Sequence, residues 1–108
     1  QIEHINAVDN LDEILQVRGL DAIMVGPYDL SASMGITAKF DHKDFRNVMS
    51  LIIKKCKKYK VSCGDHIVEP DIAKLKMRIS EGYRFIAYAT DAVILYSFSS
   101  NPFNRKNE

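Results

Sequence analysis

Short apolar runs alternate along the chain with longer stretches whose apolar residues recur every three or four positions. Asp21-Ala22-Ile23-Met24-Val25, residues 61–64 and residues 84–89 are too short for helices, and Gly26-Pro27 stops the first of them. Such runs read as strands buried on both faces. Gln1-Ile2-Glu3 reads as the end of a further strand. A helix is predicted over residues 7–17, with Leu11, Ile14 and Leu15 on its apolar face, Asn6 or Asp9 at its start and Gly19 at its end. Residues 28–40 form a longer connection with a helical turn at 30–34. The clearest helix follows. Asp41 offers its N-cap and Asp44 an acidic first turn. Phe45, Val48, Met49, Ile52, Ile53, Cys56 and Tyr59 make one apolar stripe along it. The next helix has Pro70 in its first turn and Gly82 at its close. Asp91 caps a last helix over residues 92–99, and the polar tail from Asn101 is expected to fray.

Strands that alternate with helices pair in parallel and cross over right-handedly. The predicted fold is therefore α/β, with three complete strands and the end of a fourth. Residues 1–108 read as one domain. No linker or low-complexity segment divides them, and no repeat appears beyond the strand–helix unit.

Composition narrows the function without naming it. Fifteen basic and 14 acidic residues leave a formal charge of +1, so nothing global draws the chain to nucleic acid or a membrane surface. No apolar run reaches the roughly 18 residues of a membrane span. The chain opens on Gln1-Ile2-Glu3-His4, with neither an initiator Met nor a signal-peptide pattern. It reads as cut or processed from a longer chain. Cys56 and Cys63 form no CxxC pair, and no second ligand cluster stands at zinc-finger spacing. They read as reduced thiols of a cytoplasmic protein. Lys54, Lys55, Lys57, Lys58 and Lys60 read as a solvated face suited to the helix dipole, against the alternative of an acidic partner.

Function in parallel α/β folds gathers where strands end. Glu3 and Asp29 stand at equivalent ends of consecutive strands, which lie about 4.8 Å apart when paired. Two carboxylates there suit a hard divalent cation such as Mg²⁺ or Mn²⁺. On spacing alone a second role stands beside it, since a carboxylate after a strand often caps the next helix. His4 alternates away from Glu3, so it reads as an outer or surface histidine rather than a ligand. His66 can reach the site or face solvent.

The motifs go further than the spacing. Gln1-Ile2-Glu3-His4, Ala7-Val8-Asp9-Asn10-Leu11-Asp12-Glu13-Ile14, Gly19-Leu20-Asp21-Ala22-Ile23 and Val25-Gly26-Pro27-Tyr28-Asp29-Leu30-Ser31-Ala32-Ser33-Met34-Gly35 resemble the HpcH/HpaI family of class II pyruvate aldolases. The stretch from Gly64 to Asp71 resembles the family's loop after its seventh strand. Glu81-Gly82-Tyr83-Arg84-Phe85-Ile86-Ala87 resembles its eighth strand, and Asp91 follows in place. The resemblance implies a (β/α)8 barrel in which Glu3 and Asp29 bind a divalent metal, Mg²⁺, Mn²⁺ or Co²⁺. It implies that Gln1 contacts substrate and that the turn at Tyr28 and Asp29 receives the substrate carboxylate through backbone N–H groups. Tyr28 stands where some relatives have Ala. Asp65 stands where relatives often have an apolar residue, and no role is assigned to it. The implied reaction cleaves a 2-keto-4-hydroxy acid to pyruvate and an aldehyde.

The resemblance also marks what the chain lacks. A closed eight-stranded barrel takes about 250 residues. This chain matches strands six to eight and the end of strand five, the C-terminal half. The family's Arg and His, which polarise the keto oxygen and move the proton, come from the first half, so no catalytic residue is assigned here. The sequence reads as an excerpt of a larger protein, a truncated product that self-associates, or one part of a split barrel. The expected partners are a small keto acid and either further copies of the chain or the remainder of the barrel, with neither nucleic acid nor membrane. A non-catalytic half-barrel acting in assembly is the alternative. A citrate-lyase-like activity is a third, but no CoA-binding signature accompanies it.

Overall fold

A computed structural model of the chain describes residues 1–99. The expected tail from Asn101 lies outside the described residues. The elements run α1 (Ile5–Asp9), α2 (Leu11–Ile14), β1 (Ala22–Met24), α3 (Pro27–Ser33), α4 (Lys43–Tyr59), β2 (Ser62–Ile67), α5 (Ile72–Glu81), β3 (Phe85–Tyr88) and α6 (Asp91–Phe98). The strands form a parallel sheet in the order β1-β2-β3. Ile2 extends it by a parallel bridge to Val25. This is the expected α/β architecture, with the end of a fourth strand beside β1.

Side chains alternate between the two faces of a strand, so the register fixes what each face carries. Ile23 pairs with Cys63, and Asp65 pairs with Ile86. Ile2, Ile23, Val25, Cys63, Asp65 and Ile67 therefore share one face, and all are buried. Helix α4 covers that face, with α2 packed on α4 and α5 on β2. The buried side of α4 consists of Phe45, Ile52 and Cys56, three members of the predicted stripe. The opposite face carries Glu3, Met24, Gly64, His66, Phe85 and Ala87, with no helix over it among the described residues. Gly64 is required there. A Cβ at this position would fall 2.7 Å from the Ile23 carbonyl oxygen and 2.9 Å from that of Phe85.

Several helix limits differ from expectation, each for a local reason. The predicted helix over residues 7–17 is two short helices broken at Asn10, whose backbone N–H and Nδ2 both donate to the Asn6 carbonyl, at 3.1 and 2.9 Å, and close α1 there. Its cap is His4, whose Nδ1 accepts from Asn6 N, rather than Asn6 or Asp9. Helix α4 is capped by His42 instead of Asp41, because Asp41 pairs with Arg46 at 3.1 Å. Pro70 lies outside α5, which Asp71 caps by accepting from Lys74 N at 2.9 Å. Thr90 caps α6 through its hydroxyl, which places Asp91 inside the first turn. Gly82 ends α5 as predicted, at φ +112°.

Lys55 and Lys58 are not simply a solvated face. Lys55 Nζ lies 2.7 Å from Asp12 Oδ2 and Lys58 Nζ 3.8 Å from Oδ1, which ties α4 to α2. Cys56 and Cys63 are free and buried. The neighbouring Cys56 thiol, and then burial, push the Cys63 thiol far above its ordinary range, while the hydrogen bond with Cys63 lowers that of Cys56.

Candidate metal and substrate site

Four of the residues singled out from the sequence come together. Gln1, Glu3, Tyr28 and Asp29 line a cleft of about 370 Å³ at the C-terminal ends of the strands, and His66 lines it from β2. The backbone explains the convergence. Ile2 N donates to the Met24 carbonyl at 2.8 Å and Gly26 N to the Ile2 carbonyl at 3.0 Å, which locks the strand carrying Glu3 against β1. Just beyond, Ile5 N donates to Ser33 Oγ at 2.9 Å, fastening the same segment to the end of α3.

Gly26 is the pivot of the site. A Cβ there would fall 2.6 Å from Glu3 Cγ and 2.9 Å from its Oε1. The missing side chain leaves the space in which the Glu3 carboxyl lies. Gly26 is also the N-cap of α3, with Pro27 in the first helical position. Asp29 follows in the first turn, where the helix dipole favours negative charge. Leu30 is fully buried and anchors α3. Ser31 is fully buried too; its Oγ donates to the Tyr28 carbonyl at 2.9 Å and accepts from Ala38 N at 3.0 Å. The turn bearing Tyr28 and Asp29 is therefore held from beneath, while both side chains face solvent.

Two acidic side chains with open positions have the donor chemistry of a hard divalent ion, and the space beside Gly26 accommodates one of them. Among the described residues, three or more His, Cys, Asp or Glu side chains nowhere gather as a complete metal cage. A metal held here would need its other ligands from water, substrate or residues beyond this set. His4 is exposed and serves as a helix cap, in keeping with its reading as an outer histidine.

Three features were not read from the sequence. His66, left open between two roles, lines the cleft. Its place at an even step from Gly64 on the uncovered face was the available signal. Asp65, given no role, is buried with its Oδ2 2.8 Å from Arg78 Nε. The Nε–H does not point along that line, so this is a charge contact rather than a hydrogen bond. Arg78 also donates to Glu81 at 2.9 Å and lies over the Tyr83 ring. No local pattern announced that pair. Third, Tyr28, Phe40 and Phe45 form an aromatic row beside the cleft.

Comparison with known proteins identifies the family and the fold. The sequence profile of the HpcH/HpaI aldolase/citrate lyase family matches residues 1–97. A 2-keto-3-deoxy-L-rhamnonate aldolase of Escherichia coli is 36% identical over 97 residues, 90% of this chain and 35% of that enzyme. An HpcH/HpaI aldolase of Desulfitobacterium hafniense superposes with a TM-score of 0.80 at 30% identity, covering 91% of this chain and 38% of that one. A family protein of Burkholderia cenocepacia gives a TM-score of 0.81 at 29% identity, covering 90% and 37% respectively. The chain thus spans about a third of the length of the curated relatives it matches. Its parallel sheet and helices are a segment of their barrel-like α/β fold. By sequence and by fold, the chain belongs to the HpcH/HpaI aldolase/citrate lyase family.

Proposed function

We propose that this chain is the C-terminal part of a metal-dependent aldolase barrel that cleaves 2-keto-4-hydroxy acids to pyruvate and an aldehyde. The observation that carries the reading is the cleft itself: Gln1, Glu3, Tyr28 and Asp29 line one concavity at the ends of consecutive parallel strands. Glu3 and Asp29 hold a divalent ion, Mg²⁺, Mn²⁺ or Co²⁺. Gln1 and the backbone N–H groups of the Tyr28–Asp29 turn orient the keto acid. When bound, the ion supplies Lewis-acid stabilisation of charge developing on the keto oxygen. The chain's own residues bind and orient; the proton-transferring base and the Arg belong to the rest of the barrel. The 2-keto-3-deoxy acid substrate of the E. coli relative is of the matching class.

Calorimetric titration with Mn²⁺ tests the site. Glu3→Gln and Asp29→Asn are each expected to weaken binding at least ~10-fold, the scale of losing one charged ligand. Undiminished binding in either variant would remove that residue from the assignment. Pyruvate release from a 2-keto-4-hydroxy acid is expected from the complete barrel and not from this polypeptide alone.

A second reading has its own support. Leu95, Tyr96 and Phe98 of α6 are 71%, 85% and 79% exposed. Such a surface favours a half-barrel that functions in assembly, with further copies of itself or with the remainder of the barrel. Concentration-dependent sedimentation distinguishes the two, because assembly without Mn²⁺ binding supports only this reading. On either reading we take the chain as one domain-level unit of a cytoplasmic protein, a reading that two free, buried cysteines support. Among the described residues, no helix is long and apolar enough to cross a membrane.

A further inference from the structure

Tyr28 has a side chain for which the proposed chemistry has no use. Only its backbone N–H enters the binding of a keto acid. Yet its ring, 59% exposed, is held in place. It meets the Phe40 ring edge-on, with centroids 5.0 Å apart and planes at 88°. Phe40 in turn tilts against Phe45 at 5.4 Å, and Phe45 is buried. Beneath the ring, the Tyr28 carbonyl accepts from the buried Ser31 hydroxyl. An exposed ring packed on Phe40 and carried by a pinned backbone is a fixed wall rather than a freely mobile side chain.

The wall separates two cavities. The cleft at Glu3 and Asp29 measures about 370 Å³. A larger groove of about 770 Å³ runs between α4 and α5. Pro27, Tyr28, His66 and Val68 line both, and Tyr28 is the largest of the four. Beyond it the groove offers an apolar floor of Phe40, Phe45 and Met49.

We propose that the Tyr28 side chain is a specificity-determining residue, and that its ring limits the size of the group a 2-oxo acid carries beyond its keto carbon. The inference rests on the keto-acid reading of the cleft. A 2-oxo acid whose carboxylate and keto oxygen sit at Glu3 and Asp29 must direct the rest of its carbon chain away from them. Pyruvate ends there, and a 2-oxo acid carrying a broad group such as a phenyl ring meets the Tyr28 ring, whereas a slender hydroxylated chain does not. With a small side chain at position 28, the cleft opens into the larger groove over its Phe40, Phe45 and Met49 floor, past the charged residues that also line it, and admits the larger group.

The test uses the full chain, Mn²⁺, pyruvate and phenylpyruvate. Water-proton relaxation reports Mn²⁺ binding and its change as each acid is added. The wild-type chain is expected to bind pyruvate at least ~10-fold more tightly than phenylpyruvate, within the range an apolar pocket achieves by exclusion, and Tyr28→Ala to bring the two within ~3-fold. Tyr28→Phe keeps the preference, because the ring and not the hydroxyl does the excluding. Phe40→Ala releases the ring without lining the smaller cleft, so it narrows the preference partway. If circular dichroism shows Tyr28→Ala unfolded, Phe40→Ala carries the test. A preference unchanged in folded Tyr28→Ala and Phe40→Ala, lost in Tyr28→Phe, or absent from the wild type overturns the proposal. Glu3→Gln separates the two failures. Mn²⁺ binding unaffected by Glu3→Gln sinks the site reading and this inference together. Binding lost in Glu3→Gln, with the preference indifferent to positions 28 and 40, sinks this inference alone.

Discussion

Residues 1–67 and residues 68–99 follow the same strand–helix plan but are held together differently. The first region has a core: Ile2, Val8, Leu11, Ile23, Val25, Leu30, Ile52 and Cys56 are all buried, and α4 lies along the sheet. The second buries Tyr83 alone among its side chains, and neither α5 nor α6 has a buried residue. Its apolar residues are plentiful but outward: Ile72, Met77, Ile79, Phe85, Leu95, Tyr96 and Phe98 are exposed. A helix apolar on every side, as α6 is, belongs inside a larger core. The contrast shows which contacts the chain supplies for itself and which it leaves to the rest of the barrel its relatives complete. The proposed site lies on the self-sufficient side of that line, with His66 at its border.

The largest effect should come from the first region's core. Ile52 is fully buried between α4 and the sheet. Ile52→Ala is expected to cost about 3 kcal/mol, the sum of lost burial and a residual cavity. Leu95→Ala, at a residue 71% exposed, should stay within about 0.5 kcal/mol. Urea unfolding of both variants measures the difference. Equal costs would mean that α6 packs in solution and would erase the distinction between the regions.

A smaller effect is expected where the regions join. With no buried apolar residue, α5 is pinned to β2 largely by the charge contact of Arg78 with Asp65. Arg78→Met leaves a buried carboxylate without its counter-charge. The expected cost is about 2 kcal/mol, below the usual range for a fully buried pair because Arg78 is 27% exposed. Amide exchange should localise it: protection falls in α5 and β3 while α4 keeps its own. The double change Asp65→Leu with Arg78→Met should recover most of the loss. Uniform loss of protection would show that the two regions unfold as one unit.

The sequence was most legible where one pattern decided the outcome. The stripe from Phe45 to Tyr59 could only be one long helix. The run at residues 21–25, stopped by Gly26-Pro27, could only be a short strand. The ends of those strands could then be located, and with them the cleft. Caps were less legible, because two starts offered adjacent polar residues, Asp41 or His42 and Thr90 or Asp91, and at a third Pro70 drew the expected start one residue ahead of the Asp71 cap. The winner depends on which side chain has no better partner, as Arg46 decides for Asp41. The Asp65–Arg78 contact and the Tyr28–Phe40–Phe45 row were hidden for a related reason. They join residues distant in sequence, and no periodicity encodes a contact between elements.

The smallest predicted effect lies inside the first region and depends on pH. Hydrogen bonding to Lys55, and then to Tyr59, holds the Asp12 carboxyl below its ordinary value of 3.8. A carboxyl depressed in the folded state stabilises that state at pH values above the ordinary one. The contribution fades as acid protonates the group through its lower folded value. At pH 7 it is fully present; below about pH 3.8 it is progressively lost. The urea midpoint of the wild-type chain should therefore fall more steeply below that pH than the midpoint of Asp12→Asn. Because the Asp12 carboxylate is partly exposed, added salt should shrink the difference. Exchange protection in α5 should not respond, since Asp12 ties α2 to α4 and touches nothing in the second region. A response there would mean that the boundary drawn at residue 67 does not separate two independently held parts.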